Sequence, residues 1–301
     1  MHRLLTGSLS VEALAIEING LDRSFHGCQI TQLSDLHFDG LRLSDELLSE
    51  AIALSNRLNP DLVVLTGDLV TDDPAPIHEL AHRLKHLQSR AGTFAVLGNH
   101  DNCTLTARTE ITKALTAVGV QVLWNQIAYP LGEGLALVGL ADFWSREFDP
   151  APVMNQLEEA TPRVVLSHNP DSAVKLMPWR IDLQLSGHTH GGQIVLPGLG
   201  PFPTWYQSVR RWVPRSVRPW VPYMREDCYK VVQHWEWAQG LHRVGENYLY
   251  VNRGLGTYFP GRLFCPPELT VITLNAPERE LQMHAEEDLV AVSEKQLAIS
   301  D

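Results

Sequence analysis

The chain has 301 residues, 44% of them hydrophobic, which suits one large α/β domain or two small ones. Lys and Arg number 24 against 35 Asp and Glu, and the resulting formal charge of −11 disfavours a general nucleic-acid binder. We find no signal peptide and no run of 18 apolar residues, so we expect no membrane-spanning segment. The four cysteines lie far apart without CxxC spacing, and we expect reduced, mostly buried thiols in a cytoplasmic protein (Cys28, Cys103, Cys228 and Cys265).

Predicted strands and helices alternate along much of the chain. Alternating apolar residues predict a first strand at Val11–Ile18, and Ser44 is suited to cap a helix over Asp45–Leu58. Apolar runs predict further strands at Cys28–Leu33, Leu62–Thr66, Thr93–Leu97, Val120–Trp124, Leu135–Leu140, Arg163–Leu166 and Ile181–Leu185, with a hairpin joining Val120–Trp124 to Leu135–Leu140. Helical periodicity predicts helices from Pro74 through Gln88, at Glu110–Val118 and at Val153–Ala160. This order predicts two sheets packed face to face with helices outside.

Three histidines recur at i, i+4 and i+8 on the helix predicted after Pro74: His78, His82 and His86. They suit either a metal-binding face or the solvated face of an amphipathic helix. We favour the solvated face, because Glu79 and Lys85 surround them and the other polar motifs lie elsewhere.

Polar motifs follow five of the predicted strands, at the point where each apolar run stops. They are Asp35-Leu36-His37, Gly67-Asp68, Gly98-Asn99-His100-Asp101, Ser167-His168-Asn169 and Gly187-His188-Thr189-His190. Open α/β sheets bind their ligands at the carboxyl ends of strands. Residues two apart in an extended chain point the same way, so we expect Asp35 and His37 to converge, and likewise His188 and His190. Each motif alone is typical of an ordinary turn, but the set indicates a metal or acid–base site.

In this order the five motifs resemble those of the calcineurin-like metallophosphoesterase superfamily, over residues from about 28 to 275. The resemblance implies a fold of the α/β (α+β) class, a four-layer αββα sandwich of two mixed sheets. It also implies two divalent metal ions, with Mn favoured by the resemblance and Fe, Zn or Co also compatible with mixed N/O ligands. By resemblance, the first ion is held by Asp35, His37, Asp68 and His190, and the second by Asp68, Asn99, His168 and His188.

The resemblance further implies a hydrolase in which water, acidified by both ions, attacks phosphorus in line. In this scheme His100 protonates the leaving oxygen, and Asp101 holds the His100 ring. A non-catalytic scaffold with this fold is an alternative class. Such relatives usually lose ligands or the catalytic histidine, whereas this sequence has the full set.

Later motifs resemble one bacterial branch of the superfamily that includes membrane-associated phosphodiesterases and an alternative UDP-2,3-diacylglucosamine pyrophosphatase. They are Gly191-Gly192-Gln193-Ile194, Tyr250–Thr257 and Cys265-Pro266-Pro267-Glu268. We therefore expect a phosphodiester or pyrophosphate substrate, with UDP-2,3-diacylglucosamine, cleaved to lipid X and UMP, as the leading candidate. The alternative is a general phosphodiesterase acting on nucleotide or phospholipid-like esters.

Residues 201–225, hereafter the aromatic/arginine segment, combine five arginines, five tryptophans and tyrosines, and five prolines without one acidic residue. This composition is typical of a segment at a membrane surface, but a structural cap with solvated arginines fits equally well. A nucleic-acid surface is disfavoured by the acidic chain. The candidate substrate-binding residues are Arg210, Arg211 and Trp212.

The predicted organisation is one metallophosphoesterase domain over residues 1–275, with an aromatic and arginine-rich insertion at 201–246. Residues 276–301 hold seven acidic residues and form a predicted acidic tail. We expect a small-molecule or lipid-linked phosphoester as partner, no nucleic acid, and a cytoplasmic protein with peripheral contact at the inner membrane.

Overall fold

Two six-stranded mixed sheets form the centre of the structure. The structure is a computed structural model that describes residues 6–220 and 231–279, except the side chains of Gln207, Ser208, Arg211 and Pro219. The strands are β1 (Ser10–Glu17), β2 (Cys28–Leu33), β3 (Leu62–Leu65), β4 (Thr93–Ala95), β5 (Val120–Val122), β6 (Gln126–Ala128), β7 (Ala136–Gly139), β8 (Arg163–Leu166), β9 (Leu183–Ser186), β10 (Val195–Leu196), β11 (Gly200–Pro201), β12 (Gly240–Val244), β13 (Asn247–Val251) and β14 (Glu268–Asn275). The first sheet has the order β1-β14-β2-β3-β4-β5, and the second has the order β12-β13-β9-β8-β7-β6. Strands β10 and β11 form a separate small hairpin.

The two large sheets pack face to face, and β3 shows how the sequence produces this. Alternate side chains of a strand point to opposite faces. Leu62 and Val64 join the core between the sheets, whereas Val63 and Leu65 join the core beneath the helices of the first sheet. A strand buried on both faces reads as a continuous apolar run, as these four residues do.

Helices cover the outer faces of both sheets. The covering helices are α1 (Asp45–Leu58), α2 (Ile77–Leu84), α3 (Leu105–Ala117), α4 (Ala151–Met154) and α5 (Ser172–Leu176), whereas α6 (Phe202–Trp212) contacts β11. The first three share a core with the first sheet, while α4 and α5 pack on the second. The predicted αββα sandwich is therefore confirmed. Ser44 caps α1 as expected, because its hydroxyl oxygen accepts a hydrogen bond from the Leu47 amide at 3.3 Å.

The predicted hairpin between Val120–Trp124 and Leu135–Leu140 is wrong. Strand β5 pairs in parallel with β4 in the first sheet, whereas the antiparallel partner of β7 is β6 in the second sheet. The chain crosses between sheets around Asn125, which has a left-handed φ of 52° and accepts a hydrogen bond from the Ala141 amide. The apolar pattern alone does not reveal that the chain changes sheets at this point.

Three predicted helices have different ends in the structure. The helix predicted at Glu110–Val118 begins earlier, at Leu105, because Thr104 caps it by accepting from the Ala107 amide. The helix predicted from Pro74 is the shorter α2, and the one predicted at Val153–Ala160 is the single turn α4. Our preference for a solvated face on α2 is confirmed, since His78, His82 and His86 are all exposed.

The last described strand lies between the first two strands of the chain. Strand β14 pairs in parallel with β1 and antiparallel with β2, so the sheet joins residues near both ends of the described part of the chain. The predicted insertion at 201–246 includes β12, which extends the second sheet through β13. Residues 280–301 of the predicted tail lie outside the described residues.

Cys28 and Cys265 are buried, Cys103 is exposed, and none of these three forms a disulfide. Cys228 lies outside the described residues. Within residues 6–220 and 231–279, no helix combines the length and the apolar character needed to span a bilayer.

Candidate metal centre

The five polar motifs meet in space, as predicted from their positions at strand ends. Strands β2, β3 and β4 are parallel neighbours in the first sheet, and β8 and β9 are parallel neighbours in the second. Because the sheets pack face to face, the residues after these strands face one another at one edge of the sandwich.

Two groups of buried side chains lie at this edge, each with ligating atoms within 4.8 Å of one another. The first group is Asp35, His37 and His190, in which the two Nε2 atoms are 3.1 Å apart and His190 Nε2 lies 3.5 Å from Asp35 Oδ1. The second group is Asp68, His168 and His188. In it, His168 Nε2 lies 3.1 Å from Asp68 Oδ2 and 3.2 Å from His188 Nδ1.

Asp68 connects the two groups through one oxygen atom. Its Oδ2 lies 3.1 Å from His168 Nε2 and 3.6 Å from His37 Nε2. Its Oδ1 instead accepts a hydrogen bond from the His100 amide at 2.9 Å. Oδ2 is therefore the Asp68 oxygen that faces both groups.

Each of the four histidines contacts an oxygen with the ring nitrogen that points away from its group. The pairs are His37 Nδ1 with the Tyr258 hydroxyl at 3.1 Å, His168 Nδ1 with the Thr66 carbonyl at 2.7 Å, His188 Nε2 with the Val231 carbonyl at 3.0 Å, and His190 Nδ1 with the Gly256 carbonyl at 3.1 Å. For His168, His188 and His190 the partner is a carbonyl, which only accepts, so the facing nitrogen carries the hydrogen and the other nitrogen keeps its lone pair for the group. Metal-binding histidines show this arrangement almost always.

A further buried oxygen lacks a partner among the described residues. Asn99 Oδ1 is inaccessible to solvent and accepts no hydrogen bond. A buried polar atom without a partner costs about 1–3 kcal/mol, and a bound cation would remove that cost. The donor set of two carboxylates, four imidazoles and one amide oxygen therefore fits two divalent metal ions.

The backbone at five of these residues adopts the left-handed region that non-glycine residues rarely occupy. The φ angles are 50° at Asp35, 43° at His37, 51° at Asp68, 70° at His188 and 51° at His190. Such conformations cost about 1–3 kcal/mol each and cluster at functional sites. The extended backbone that we assumed for Asp-x-His and His-x-His is therefore wrong, although Asp35 and His37 still converge with His190.

Two glycines leave room for the buried carboxylates. A Cβ atom on Gly98 would lie 2.1 Å from Asp68 Oδ1, and one on Gly187 would lie 2.1 Å from Asp35 Oδ2. Only glycine permits this close approach, which explains why glycine precedes the polar residues in both motifs.

Burial sets the protonation of the centre when no cation is present. Burial raises the pKa of Asp35 to about 6, lowers the pKa of His37 to about 3 and lowers that of His188 to about 4. Burial also disfavours the charged form of His168, but the Asp68 carboxylate outweighs it and raises the pKa of His168 to about 10. A metal ion binding at the second group would therefore have to displace this proton from His168.

His100 lies at the rim of the centre, where its ring is partly exposed and 5.0 Å from the His37 ring. We expected Asp101 to hold this ring, and that expectation is wrong. Asp101 is fully buried and turns inward to accept hydrogen bonds from the amides of Gly98, Leu69 and Val70. Asp72 Oδ1 contacts His100 Nδ1 instead, at 3.0 Å.

Sequence reasoning also missed several residues around the centre. Asp142 is buried after β7 with Oδ1 unpartnered among the described residues, and the rule of polar residues after apolar runs could have identified it. The ring of Trp144 contacts His188 edge to face at 5.0 Å. Arg262 donates to the carbonyls of Arg253, Gly254 and Gly256, which holds the Gly256 carbonyl against His190. No local pattern singles out Trp144, Arg262 or Tyr258.

The aromatic/arginine segment begins with helix α6 and continues past Arg218. Trp212 and Trp220 are 89% and 86% exposed, whereas Trp205 is half-buried and packs against Phe202. Arg210 is half-buried, and substrate binding by Arg210 and Trp212 stays a prediction. The Arg211 side chain, Tyr223 and Arg225 lie outside the described residues.

Comparison with known proteins agrees with this geometry. Residues 28–192 match the family model described as calcineurin-like phosphoesterase. The phosphodiesterase YaeI of Escherichia coli K12 is 35% identical over 253 residues, covering 82% of this chain and 82% of that protein. The metallophosphoesterase YkuE of Bacillus subtilis is 32% identical, covering 85% and 82% of the two chains.

A third relative is the UDP-2,3-diacylglucosamine pyrophosphatase LpxG of Chlamydia trachomatis, which is 29% identical. The match covers 82% of this chain and 83% of the LpxG chain. The family model spans more than half of the chain, and the relatives match over most of their own length. The chain therefore belongs to the calcineurin-like phosphoesterases, metal-dependent hydrolases that act on phosphoesters with divalent ions.

Proposed function

We propose that the chain holds two divalent cations and hydrolyses a phosphodiester or a pyrophosphate. The observation that carries this proposal is the pair of buried ligand groups that share Asp68 Oδ2. Asp35, His37, Asp68 and His190 would hold the first ion, and Asp68, Asn99, His168 and His188 the second. Two bound divalent ions acidify a water and stabilise charge on the phosphoryl oxygens. We propose Mn, with Fe, Zn and Co as alternatives that the mixed N/O ligands also suit.

His100 is our proposed proton donor to the leaving oxygen. Its partly exposed ring lies at the rim, with a ring nitrogen within 4.8 Å of ligating atoms of His37 and Asp68. This position allows contact with a phosphoester at the centre. Asp72 orients the ring through Nδ1, the role that we had expected of Asp101.

A lipid-linked substrate is the class that we favour, with UDP-2,3-diacylglucosamine, cleaved to lipid X and UMP, as the leading candidate. The name of the relative LpxG supports a pyrophosphatase acting on this lipid. The name of YaeI supports the alternative of a general phosphodiesterase, acting on nucleotide or phospholipid-like esters. The complete ligand set speaks against a non-catalytic scaffold.

An apolar rim beside the first ligand group supports the lipid class. Phe259 and Phe264 are 84% and 67% exposed, and Phe259 follows Tyr258, whose hydroxyl contacts His37. The Leu263 carbonyl accepts a hydrogen bond from the Val195 amide, which places this loop against the β10–β11 hairpin. Helix α6 begins directly after that hairpin and leads to the exposed Trp212.

We therefore propose peripheral binding at an anionic membrane surface. No acidic residue occurs from Leu183 to Arg225, so all the charged side chains of the aromatic/arginine segment are arginines. Arginines near an anionic membrane contribute about 1 kcal/mol each, and tryptophan rings favour the headgroup boundary.

The test is hydrolysis by metal-loaded protein of UDP-2,3-diacylglucosamine, cyclic nucleotides and bis(p-nitrophenyl) phosphate in parallel. Preference for the diacyl substrate supports the leading candidate, and equal turnover of simple diesters supports the general phosphodiesterase. Two bound ions without turnover of any substrate would contradict the hydrolase proposal.

A further inference from the structure

A short segment that follows the aromatic/arginine segment in the chain lies against the metal centre. The return segment, residues 231–238, contacts His188 of the second ligand group and the neighbouring Thr189. The Val231 carbonyl accepts a hydrogen bond from His188 Nε2 at 3.0 Å. The Thr189 hydroxyl, next to His188 in the chain, donates to the Ala238 carbonyl at 2.6 Å.

One buried carboxylate holds the return segment in this place. Asp171 is 3% exposed, and its two oxygens accept hydrogen bonds from the amides of Gln233 at 2.7 Å and His234 at 3.0 Å. Asp171 is itself tied to the residue after His168, because its amide donates to Asn169 Oδ1 at 2.9 Å. The carboxylate therefore links the loop of His168 to the segment that contacts His188.

We infer that Asp171 is a positioning residue for the second metal ion, acting through the return segment and the Val231 carbonyl on the His188 ring. This inference rests on the proposed dinuclear centre. The Val231 carbonyl requires the hydrogen of His188 to be on Nε2, which leaves the Nδ1 lone pair facing the second group, 3.2 Å from His168 Nε2. Without that carbonyl, the ring is free to rotate or to carry its hydrogen on Nδ1.

The effect is specific to the second ion because the first group depends on another part of the chain. His190 and His37 contact the Gly256 carbonyl and the Tyr258 hydroxyl, and Arg262 holds the Gly256 carbonyl. Asp171 takes no part in these contacts. Loss of its carboxylate should therefore leave the first ion in place.

The return segment also connects the centre to the aromatic/arginine segment. Its single turn Trp235–Trp237 packs against helix α6, which carries Trp212. The return segment thus contacts helix α6 through this turn and the His188 ring through the Val231 carbonyl. Asp171 anchors this connection at its centre.

The experiment is titration of the metal-free full chain with Mn²⁺, comparing wild type with Asp171→Asn by calorimetry and by Mn²⁺ EPR. Asparagine keeps the shape but turns an amide group toward backbone N–H donors, so at least one of the two hydrogen bonds is lost. We expect first-ion affinity near wild type and second-ion affinity weaker by about 10–100-fold, the usual cost of losing an outer partner of a metal ligand.

Asp61→Asn is the matched control. Asp61 also accepts a hydrogen bond from a backbone amide, that of Gln29 at 2.7 Å, but it lies before the opposite, amino-terminal end of β3. We expect this variant to bind both ions like wild type. If it also loses the second ion, the effect is general destabilisation and the inference is wrong.

Two outcomes for Asp171→Asn overturn the inference: unchanged binding of both ions, or equal weakening of both. If this variant fails to fold, Thr189→Val removes the other tie to the return segment and should cause the same selective loss. Unchanged second-ion binding in Thr189→Val then refutes the inference. A wild-type chain that binds one ion instead contradicts the dinuclear centre itself, and this inference falls with it.

Discussion

Membrane binding through Trp212 and Trp220 is the prediction with the sharpest quantitative consequence. Both rings stand almost fully exposed in a part of the chain without acidic residues. Replacing both with alanine should weaken binding to anionic vesicles and turnover of a diacyl substrate. Hydrolysis of a water-soluble diester should be unchanged, because neither ring belongs to the two ligand groups.

The size of the loss follows from the exposed area. A tryptophan side chain presents about 200 Å², and we assume that roughly half of it enters the headgroup region. At about 25 cal/mol per Å², each ring contributes about 2.5 kcal/mol to membrane binding. That free energy corresponds to about 60-fold in affinity for one ring and about three and a half orders of magnitude for two.

Salt dependence provides an independent measurement on the same variant. Raising ionic strength from about 0.1 M to about 1 M shortens the screening length from about 10 Å to about 3 Å and should weaken wild-type binding. The double variant should keep this salt dependence, because Arg215 and Arg218 are unchanged. Sedimentation with vesicles of phosphatidylethanolamine and phosphatidylglycerol measures both effects.

Leu105→Ala is the control for loss of an exposed apolar side chain. Leu105 is exposed on α3, outside the aromatic/arginine segment, and its replacement should leave vesicle binding unchanged. If the tryptophan double variant binds vesicles like wild type, the membrane proposal is refuted. If the double variant has a lowered melting temperature and loses activity on both the diacyl substrate and the water-soluble diester, the segment is a structural cap.

Four further predictions concern the metal centre. Asp68→Asn should bind fewer than two ions by metal analysis and lose turnover, because Oδ2 faces both groups; full activity with two ions would contradict the assignment. His100→Ala should keep its metal content while losing about 10²–10⁴-fold in rate, with a smaller loss for p-nitrophenyl esters that need little protonation. Asp72→Asn should show a smaller rate loss of the same kind, whereas an effect confined to metal content would refute its role. Since Asp68 raises the pKa of His168 to about 10, Mn²⁺ must displace a proton from His168 below that pH. The affinity for Mn²⁺ should therefore increase by up to about tenfold for each unit by which the pH is raised toward about 10. An Mn²⁺ affinity that is constant between about pH 6 and about pH 8 would refute this.

That the proposed ligands lie close together could be predicted from sequence because of how buried strands are built. A strand covered on both faces reads as an uninterrupted apolar run, so the first polar residue after it marks the strand end. Parallel neighbours end at the same edge, which brings Asp35, Asp68 and Asn99 together without knowledge of the loops. The two-sheet architecture followed from the same pattern.

The orientation of side chains beyond the strand ends could not be predicted in this way. Asp101 turns inward because three backbone amides at the turn require an acceptor, and the His100 ring meets Asp72 instead. The Val231 carbonyl reaches His188 across 43 positions of the chain. Such contacts depend on loop paths and left-handed backbone turns, which periodicity does not encode.

The position of β14 between β1 and β2 has a consequence for folding during synthesis and for the behaviour of truncated fragments. All the proposed ligand residues have been synthesised once the chain reaches residue 190. The first sheet nevertheless stays incomplete until Asn275 has left the ribosome. A fragment limited to residues 28–192, the part that matches the family model, would leave the edge of β2 unpaired and exposed. Unpaired edges of this kind promote aggregation, so the nascent chain must keep β2 from pairing with other strands until β14 has been synthesised.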